Sequence, residues 1–215
     1  MRTIEFCTKT YDFLAVVKKW LGVESLQSLH HSQKYNHFFR ETDQSTKWHE
    51  IFYREIRVDS SFDSIYMRFL GDVIKPKYGE EIVYQKIPTL RVHLPENVSV
   101  GEFHKDKCYR NTEWADKVQE MNYYLPLTKA YGTNTIWVES EEDKEDFSPI
   151  EADWGECIEW DGSNLKHGNK ENLTTETRVS VDFRIIPKSR YLETDNNLSI
   201  NTKIPFAIGG YYEIM

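Results

Sequence analysis

Thr177-Arg178-Val179-Ser180-Val181-Asp182-Phe183-Arg184-Ile185 alternates residue by residue between polar and apolar side chains. A period of two marks a strand with one face in a core. By parity Arg178 and Ser180 share one face, and so do Asp182 and Arg184. An arginine beside a serine on an inward face needs a buried anionic partner, because an unpaired guanidinium is costly to bury. This strand therefore predicts a β-rich core with an anion site on its polar side.

Working outward, similar short runs recur from Glu81 onward: 81–87, 89–94, 98–104, 119–126, 133–139, 147–151, 155–160, 164–168 and 178–186. Short strands separated by turn signals suit a sandwich or a jelly-roll-like barrel. Trp154 to Trp160 reads as a strand, Asp161-Gly162 as a hairpin turn, and Leu165-Lys166-His167-Gly168 as the return strand. Thr89 to Pro95 alternates, Glu96-Asn97 turns, and Val98 to Phe103 runs straight into His104. A late run, Pro205 to Tyr212, predicts one more strand or a plug.

His104 and Asp106 stand two residues apart on that extended segment and point to one face, so they can grip one metal together. His167 from a distant strand would complete a two-His, one-carboxylate set. That set leaves three positions open and suits non-haem Fe(II) oxygenases. Arg178, eleven residues past His167, offers a planar fork suited to a carboxylate such as the far end of 2-oxoglutarate. Asn122 and Tyr124 share a strand face, and Gln85 and Arg91 share a parity in the strand leading to the metal pair. Each of these four is a candidate co-substrate contact or a structural group.

The order His104-x-Asp106, Gly155-Glu156, His167-Gly168, Asn172 and Arg178-x-Ser180 resembles the Fe(II)/2-oxoglutarate-dependent oxygenases. Within them the chain is similar to the phytanoyl-CoA dioxygenase-like branch, and more narrowly to oxygenases of the streptomycin-biosynthesis and carbohydrate-cluster type. Pro88 to Pro95, Asn122 to Thr128 and Thr177 to Arg184 carry the narrower likeness, which covers about residues 80 to 187. The resemblance implies a double-stranded β-helix, with His104, Asp106 and His167 holding Fe(II). It also implies that 2-oxoglutarate chelates the iron while Arg178 and Ser180 hold its far carboxylate, and that O₂ is the oxidant. Turnover yields succinate, CO₂ and an oxidised substrate. One departure concerns the Pro-Gly-Ser-His turn usual in the phytanoyl branch, since the acidic run Glu139 to Asp146 stands in its place and argues against a lipid-CoA substrate. Halogenases of the family have Gly or Ala where Asp106 stands, so hydroxylation or a related oxidation is expected.

Other classes remain open. A non-oxidative cupin-like metalloenzyme, such as a sugar isomerase or epimerase, could use the same metal site but has no need of Arg178 and Ser180. Jumonji-type oxygenases share His-x-Asp…His, yet usually hold the co-substrate with a Lys from another strand. A catalytically silent sugar-binding module is a third reading. The segment 105–117, the acidic loop 139–146 and the helical region before residue 80 are expected to border the mouth of the site. The first carries Lys105, Lys107, Tyr109, Arg110 and Trp114, which predicts a polar small molecule, a sugar or amino sugar derivative. The acidic run 139–146 reads as a solvated loop or a contact for a cationic substrate.

The first eighty residues are patterned differently. Thr10 is expected to cap a helix carrying Phe13, Leu14, Val17, Trp20 and Leu21, with Gly22 as its stop. Ser45 is expected to open a second, and a third starts near Ser61 and carries its apolar positions to Val73. Helices followed by strands predict one α+β domain over 1–215. Residues 1–80 would support the outer face of the larger sheet, 81–187 would form the β-helix core, and 188–215 a polar loop and a final strand. With 215 residues the chain can bury one sizeable core. A net charge of −8 argues against nucleic acid as a partner. No run approaches a membrane span, and three cysteines without CxxC spacing read as reduced thiols of a cytoplasmic protein. Oligomeric state is open.

Overall fold

The computed structural model describes residues 1–32, 46–99, 102–109, 112–193, 198 and 204–215. It combines helices with two antiparallel sheets. The larger sheet joins β1 (Arg2–Glu5), β7 (Glu156–Trp160), β4 (Met121–Pro126), β9 (Arg178–Pro187), β2 (Ile82–Gln85) and β10 (Tyr212–Ile214) in that order, with β3 (Thr89–His93) also paired to β9. The smaller sheet runs β6 (Ser148–Pro149), β5 (Ile136–Val138), β8 (His167–Asn169).

β9 is the axis of the molecule, and its alternation explains why. Val179, Val181, Phe183 and Ile185 all lie in the main apolar cluster. That cluster also holds Phe13, Val17 and Trp20 of α1 (Phe13–Leu21), Trp48 and Phe52 of α2 (Lys47–Glu55), and Phe62, Tyr66 and Phe69 of α3 (Ser61–Phe69). Phe183 stacks on Tyr123 at 5.1 Å and meets Tyr66 edge-on at 5.3 Å. Burying each such side chain contributes about 1.5–3 kcal/mol, so the odd-numbered face fixes the strand against the helices. The even-numbered face, Arg178, Ser180, Asp182 and Arg184, is thereby turned to the other side.

Several boundaries differ from the sequence expectations. Asp12, not Thr10, caps α1 by accepting from the Ala15 amide at 2.9 Å, because it stands at the correct offset for that bond. Gly22 ends the helix at φ 66°, as expected. Ser45 lies outside the described residues, and Thr46 caps α2. The third helix continues past Phe69 as a wider π turn over Leu70–Ile74. The N-terminal strand β1 was not foreseen; it pairs with β7.

The described residues of the 98–104 segment join no strand ladder. Asn97 turns the chain by accepting from the Val98 amide, and His104 alone forms a bridge, to His167. Val100 and Gly101 lie outside the described residues. The expected hairpin around Asp161-Gly162 is also corrected: β7 pairs with β1 and β4, whereas β8 pairs with β5 in the other sheet. Asp161 closes a single turn, accepting from the Asn164 and Leu165 amides, and this sends the chain from one sheet to the other. Residues 205–211 form turns rather than a strand, and β10 follows them. In the 188–204 stretch Lys188–Arg190 make a 3-10 turn, while Asn196, Asn197 and Thr202 lie outside the described residues. The three cysteines are free, and among the described residues no helix is long and apolar enough to cross a membrane.

Candidate metal centre

His104 and His167 are partners in a single antiparallel bridge. Each amide donates to the other's carbonyl, at 2.8 and 2.9 Å, which sets the two rings side by side with centroids 4.5 Å apart. Gly168 permits this approach, since a Cβ there would meet a Phe103 ring carbon at 2.9 Å and the Glu102 carbonyl at 3.1 Å. Asp106 does not stay on an extended segment with His104. It begins a 3-10 turn over Asp106–Tyr109, and its amide donates to the Gly162 carbonyl at 2.9 Å. The turn still swings the carboxylate back under the two rings.

The result is one cluster in which a ligand atom from each of His104, Asp106 and His167 lies within 4.8 Å of the others. His104 Nδ1 faces the Glu102 carbonyl at 2.8 Å and His167 Nδ1 the Leu165 carbonyl at 2.9 Å. A carbonyl only accepts, so each Nδ1 carries a proton and each Nε2 is the nitrogen left to face the cluster. The Nε2 atoms stand 3.5 and 3.7 Å from Asp106 Oδ1. A first-row ion with bonds of about 2.1 Å fits among these three donors. A hard ion such as Mg²⁺ or Ca²⁺ prefers an all-oxygen set, so the donors favour a transition metal.

Burial by itself would raise the Asp106 carboxyl, but Arg184 and the two histidines hold it well below the usual carboxylate range. Burial lowers His167 to about 4, against the pull of Asp106, so its ring is neutral near pH 7. Both ligands are thus in their metal-binding forms.

The cavity at this cluster lies between residues of both sheets. Asn122, Trp160, Arg91, Arg178, Asp182 and Arg184 line it from the larger one, Ile136, His167, Gly168 and Asn169 from the smaller. At its far end Arg178 is 1% exposed. Its Nε donates to the Asn134 carbonyl and one terminal nitrogen to Ser180 Oγ, both at 2.9 Å.

Of the residues singled out from sequence, His104, Asp106, His167, Arg178, Asn122 and Arg91 are gathered around this cavity. Three stand behind its lining. Ser180 holds Arg178; Tyr124 packs its ring 5.9 Å from the Arg178 guanidinium carbon; Gln85 donates to the Ile87 carbonyl and Thr89 Oγ1. Asn122 gives its amide protons to Asp106 Oδ2 at 2.9 Å, and Arg91 pairs with Asp182 at 3.2 Å. Sequence reasoning missed Arg184 as the partner of Asp106, at 2.7 Å, along with Trp160 and Asn169. Parity with Arg178 was the available signal for Arg184.

The described residues of the segment 105–117, expected at the mouth, take different places. Lys105 and Lys107, which alternate with Asp106 in sequence, pair with Glu142 and Asp143 of the acidic loop at 2.6–3.0 Å. Lys166, next to His167, pairs with Glu145. The loop is therefore strapped to the segments that carry the metal donors. Trp114 is buried in a separate cluster and donates to the Leu192 carbonyl, and Arg110 lies outside the described residues. Tyr109 remains beside the site, its ring 5.0 Å from that of His104.

No family model matches the chain. Superposition on solved structures gives a TM-score of 0.49 with EctD from S. alaskensis with bound Fe, at 14% identity over 90% of this chain and 74% of that one. It gives 0.47 with the nickel complex of the non-heme monooxygenase ThoJ, at 12% identity over 86% and 71%. In sequence the chain is 39% identical over 199 residues to the streptomycin biosynthesis protein StrG of Streptomyces griseus, covering 92% of this chain and 90% of that protein. At that identity and coverage, the chain belongs to the StrG family.

Proposed function

We propose that this protein is a non-haem Fe(II)/2-oxoglutarate-dependent oxygenase of the phytanoyl-CoA dioxygenase-like branch, built as one double-stranded β-helix unit. The observation that carries the reading is the convergence of the His104, Asp106 and His167 donors in a cavity that also reaches the buried Arg178. Two facing antiparallel sheets with the donors between them support the β-helix assignment. A bound iron supplies O₂ activation coupled to oxidative decarboxylation of 2-oxoglutarate. The chain's own part is to bind and orient. Arg178, held by Asn134 and Ser180, receives the far carboxylate of the co-substrate, and Trp160 and Ile136 wall the reacting region against water. A non-oxidative isomerase has no co-substrate carboxylate for Arg178 to hold.

The substrate side rests on the cavity wall and on kinship. Arg91, Asp182 and Asn169 make the cavity wall polar, which suits a hydroxylated small molecule better than an acyl chain. Kinship with a streptomycin biosynthesis protein supports a sugar or amino sugar derivative in a biosynthetic pathway, oxidised most simply by hydroxylation. Purified protein supplied with Fe(II), 2-oxoglutarate and O₂ should consume oxygen and release succinate, and His167→Ala should not. Absence of succinate across a panel of sugars and amino sugars, with iron shown to be bound, would refute the oxygenase reading.

A further inference from the structure

We propose that Arg184, with Asn122, is a positioning residue that commits Asp106 to binding the metal through one oxygen. The inference rests on the metal centre described above and concerns how its geometry is fixed.

The two oxygens of Asp106 have different surroundings. Oδ1 faces the two imidazole Nε2 atoms. Oδ2 accepts from Arg184 at 2.7 Å through a terminal nitrogen and at 3.2 Å through Nε, and from Asn122 Nδ2 at 2.9 Å. An arginine usually spans both oxygens of a carboxylate with two parallel bonds. Here both nitrogens converge on one oxygen and leave the other to the metal side. Three charge-assisted or amide donors saturate Oδ2, so turning the carboxylate to offer both oxygens would break bonds in a buried place.

Arg184 is itself held from several directions. Its NH1 donates to the Tyr211 hydroxyl at 3.2 Å and to Gln85 Oε1 at 3.4 Å, with Glu120 and Asp182 carboxylates at 3.6 and 3.7 Å. These partners come from β2, β9, the residue before β4 and the C-terminal segment, so the guanidinium cannot swing to the Arg178 end. Asn122 shows the same commitment. Its Nδ2 serves Asp106 while its buried Oδ1 has no hydrogen-bond partner among the described residues. The reverse amide orientation would set oxygen against oxygen. Gly162 makes room for this, as a Cβ there would lie 2.4 Å from Asn122 Nδ2.

The consequence is a count of open positions. Two imidazoles and a one-oxygen carboxylate leave three sites on a six-coordinate ion, enough for a two-point 2-oxo acid and one more ligand. A two-oxygen Asp106 would occupy one of them. Arg184 thus protects an open position without touching the metal.

Co(II) is the probe, titrated anaerobically into metal-free protein and followed by its d–d absorption and by calorimetry. Arg184→Gln and Arg184→Lys should each bind Co(II) about 10–100-fold more weakly, with shifted d–d bands and a smaller spectral response to added 2-oxoglutarate. Arg184→Lys should not rescue, since a point charge cannot place two donors on one oxygen. Asn122→Ser keeps Arg184 and should give the same spectral shift at reduced size; it decides the matter if circular dichroism shows the Arg184 variants unfolded. Folded variants whose Co(II) bands and affinity stay within twofold of wild type would overturn the proposal while leaving the metal centre intact. A wild-type protein that binds no Co(II) would overturn both.

Discussion

The two ends of the cavity are built by different means. The Arg178 end centres on one strand pair: Arg178 and Ser180 are two apart on β9, the β3 register sets His93 opposite Arg178 and Arg91 opposite Ser180, and the Asn134 carbonyl adds one contact from the turn before β5. The metal end draws on a 3-10 turn, β8, β9, β4 and a loop some 35 residues away. Local alternation makes the first, and the meeting of two sheets makes the second. Damage should therefore spread differently: changes at the Arg178 end act on one binding step, whereas changes at the metal end act on the centre as a whole.

The sharpest way to separate the ends is to remove one anchor from each. His167→Ala takes away a donor and half of the bridged pair's chemistry, so metal affinity should fall by more than about 100-fold and turnover should vanish. Arg178→Ala should leave Co(II) binding within a few-fold of wild type. It should raise the 2-oxoglutarate requirement steeply, because leaving a carboxylate without its buried partner costs about 3–5 kcal/mol. Parallel calorimetric titrations of the two variants check both statements. If Arg178→Ala lost the metal as well, the ends would not be independent and the comparison would break.

The same division governs what could be read from the chain. Parity puts Arg178 and Ser180 on one buried face because β9 is long, regular and apolar on every other residue, though Ser180 stands behind the lining. It also put Arg184 on the right face, though its partner could not be named, as Asp106 is 78 residues away in sequence. Sequence spacing pairs His104 and Asp106 along an extended segment; a 3-10 turn delivers the carboxylate instead, and turn geometry has no period to detect. The hairpin at Asp161 failed for a related reason. The turn residues were right, yet which sheet the outgoing strand joins is a tertiary outcome. Gln85 and Tyr124 shared the inward parity but sit one layer behind the lining.

Acid provides a second contrast. His93 at the Arg178 end is fully buried, with Nδ1 3.1 Å from the Asn134 carbonyl and Nε2 2.9 Å from that of Asn97. The two carbonyls favour the charged ring, but burial and the nearby Arg178 outweigh them and push it down to about 3. An unfolded histidine titrates near 6.5, so between about pH 6.5 and 3 the unfolded chain binds the extra proton. Stability should fall as pH drops through that window, with a His93 contribution of up to about 1.4 kcal/mol per pH unit. Urea unfolding of wild type and His93→Gln at several pH values tests this by slope rather than absolute stability. Parallel profiles would show that His93 is not the group responsible.

The smallest effect is expected where the metal end meets solvent. Glu142 accepts from Lys105 at 3.0 Å and Lys107 at 2.7 Å, and these two lysines depress its carboxyl, Lys107 most. Its side chain is 46% exposed, so water and salt screen the pairs. Glu142→Gln should cost less than about 1 kcal/mol in urea unfolding, and that cost should shrink further as salt is raised toward 1 M. Co(II) affinity should stay within about threefold, because His104, Asp106 and His167 keep their own backbone anchors at Glu102, Gly162 and Leu165. A tenfold loss of Co(II) affinity in Glu142→Gln, relieved by no amount of salt, would mean that the acidic loop sets the ligand geometry. The metal end would then be assembled from outside inward, with the strap and not the bridged histidine pair as its foundation.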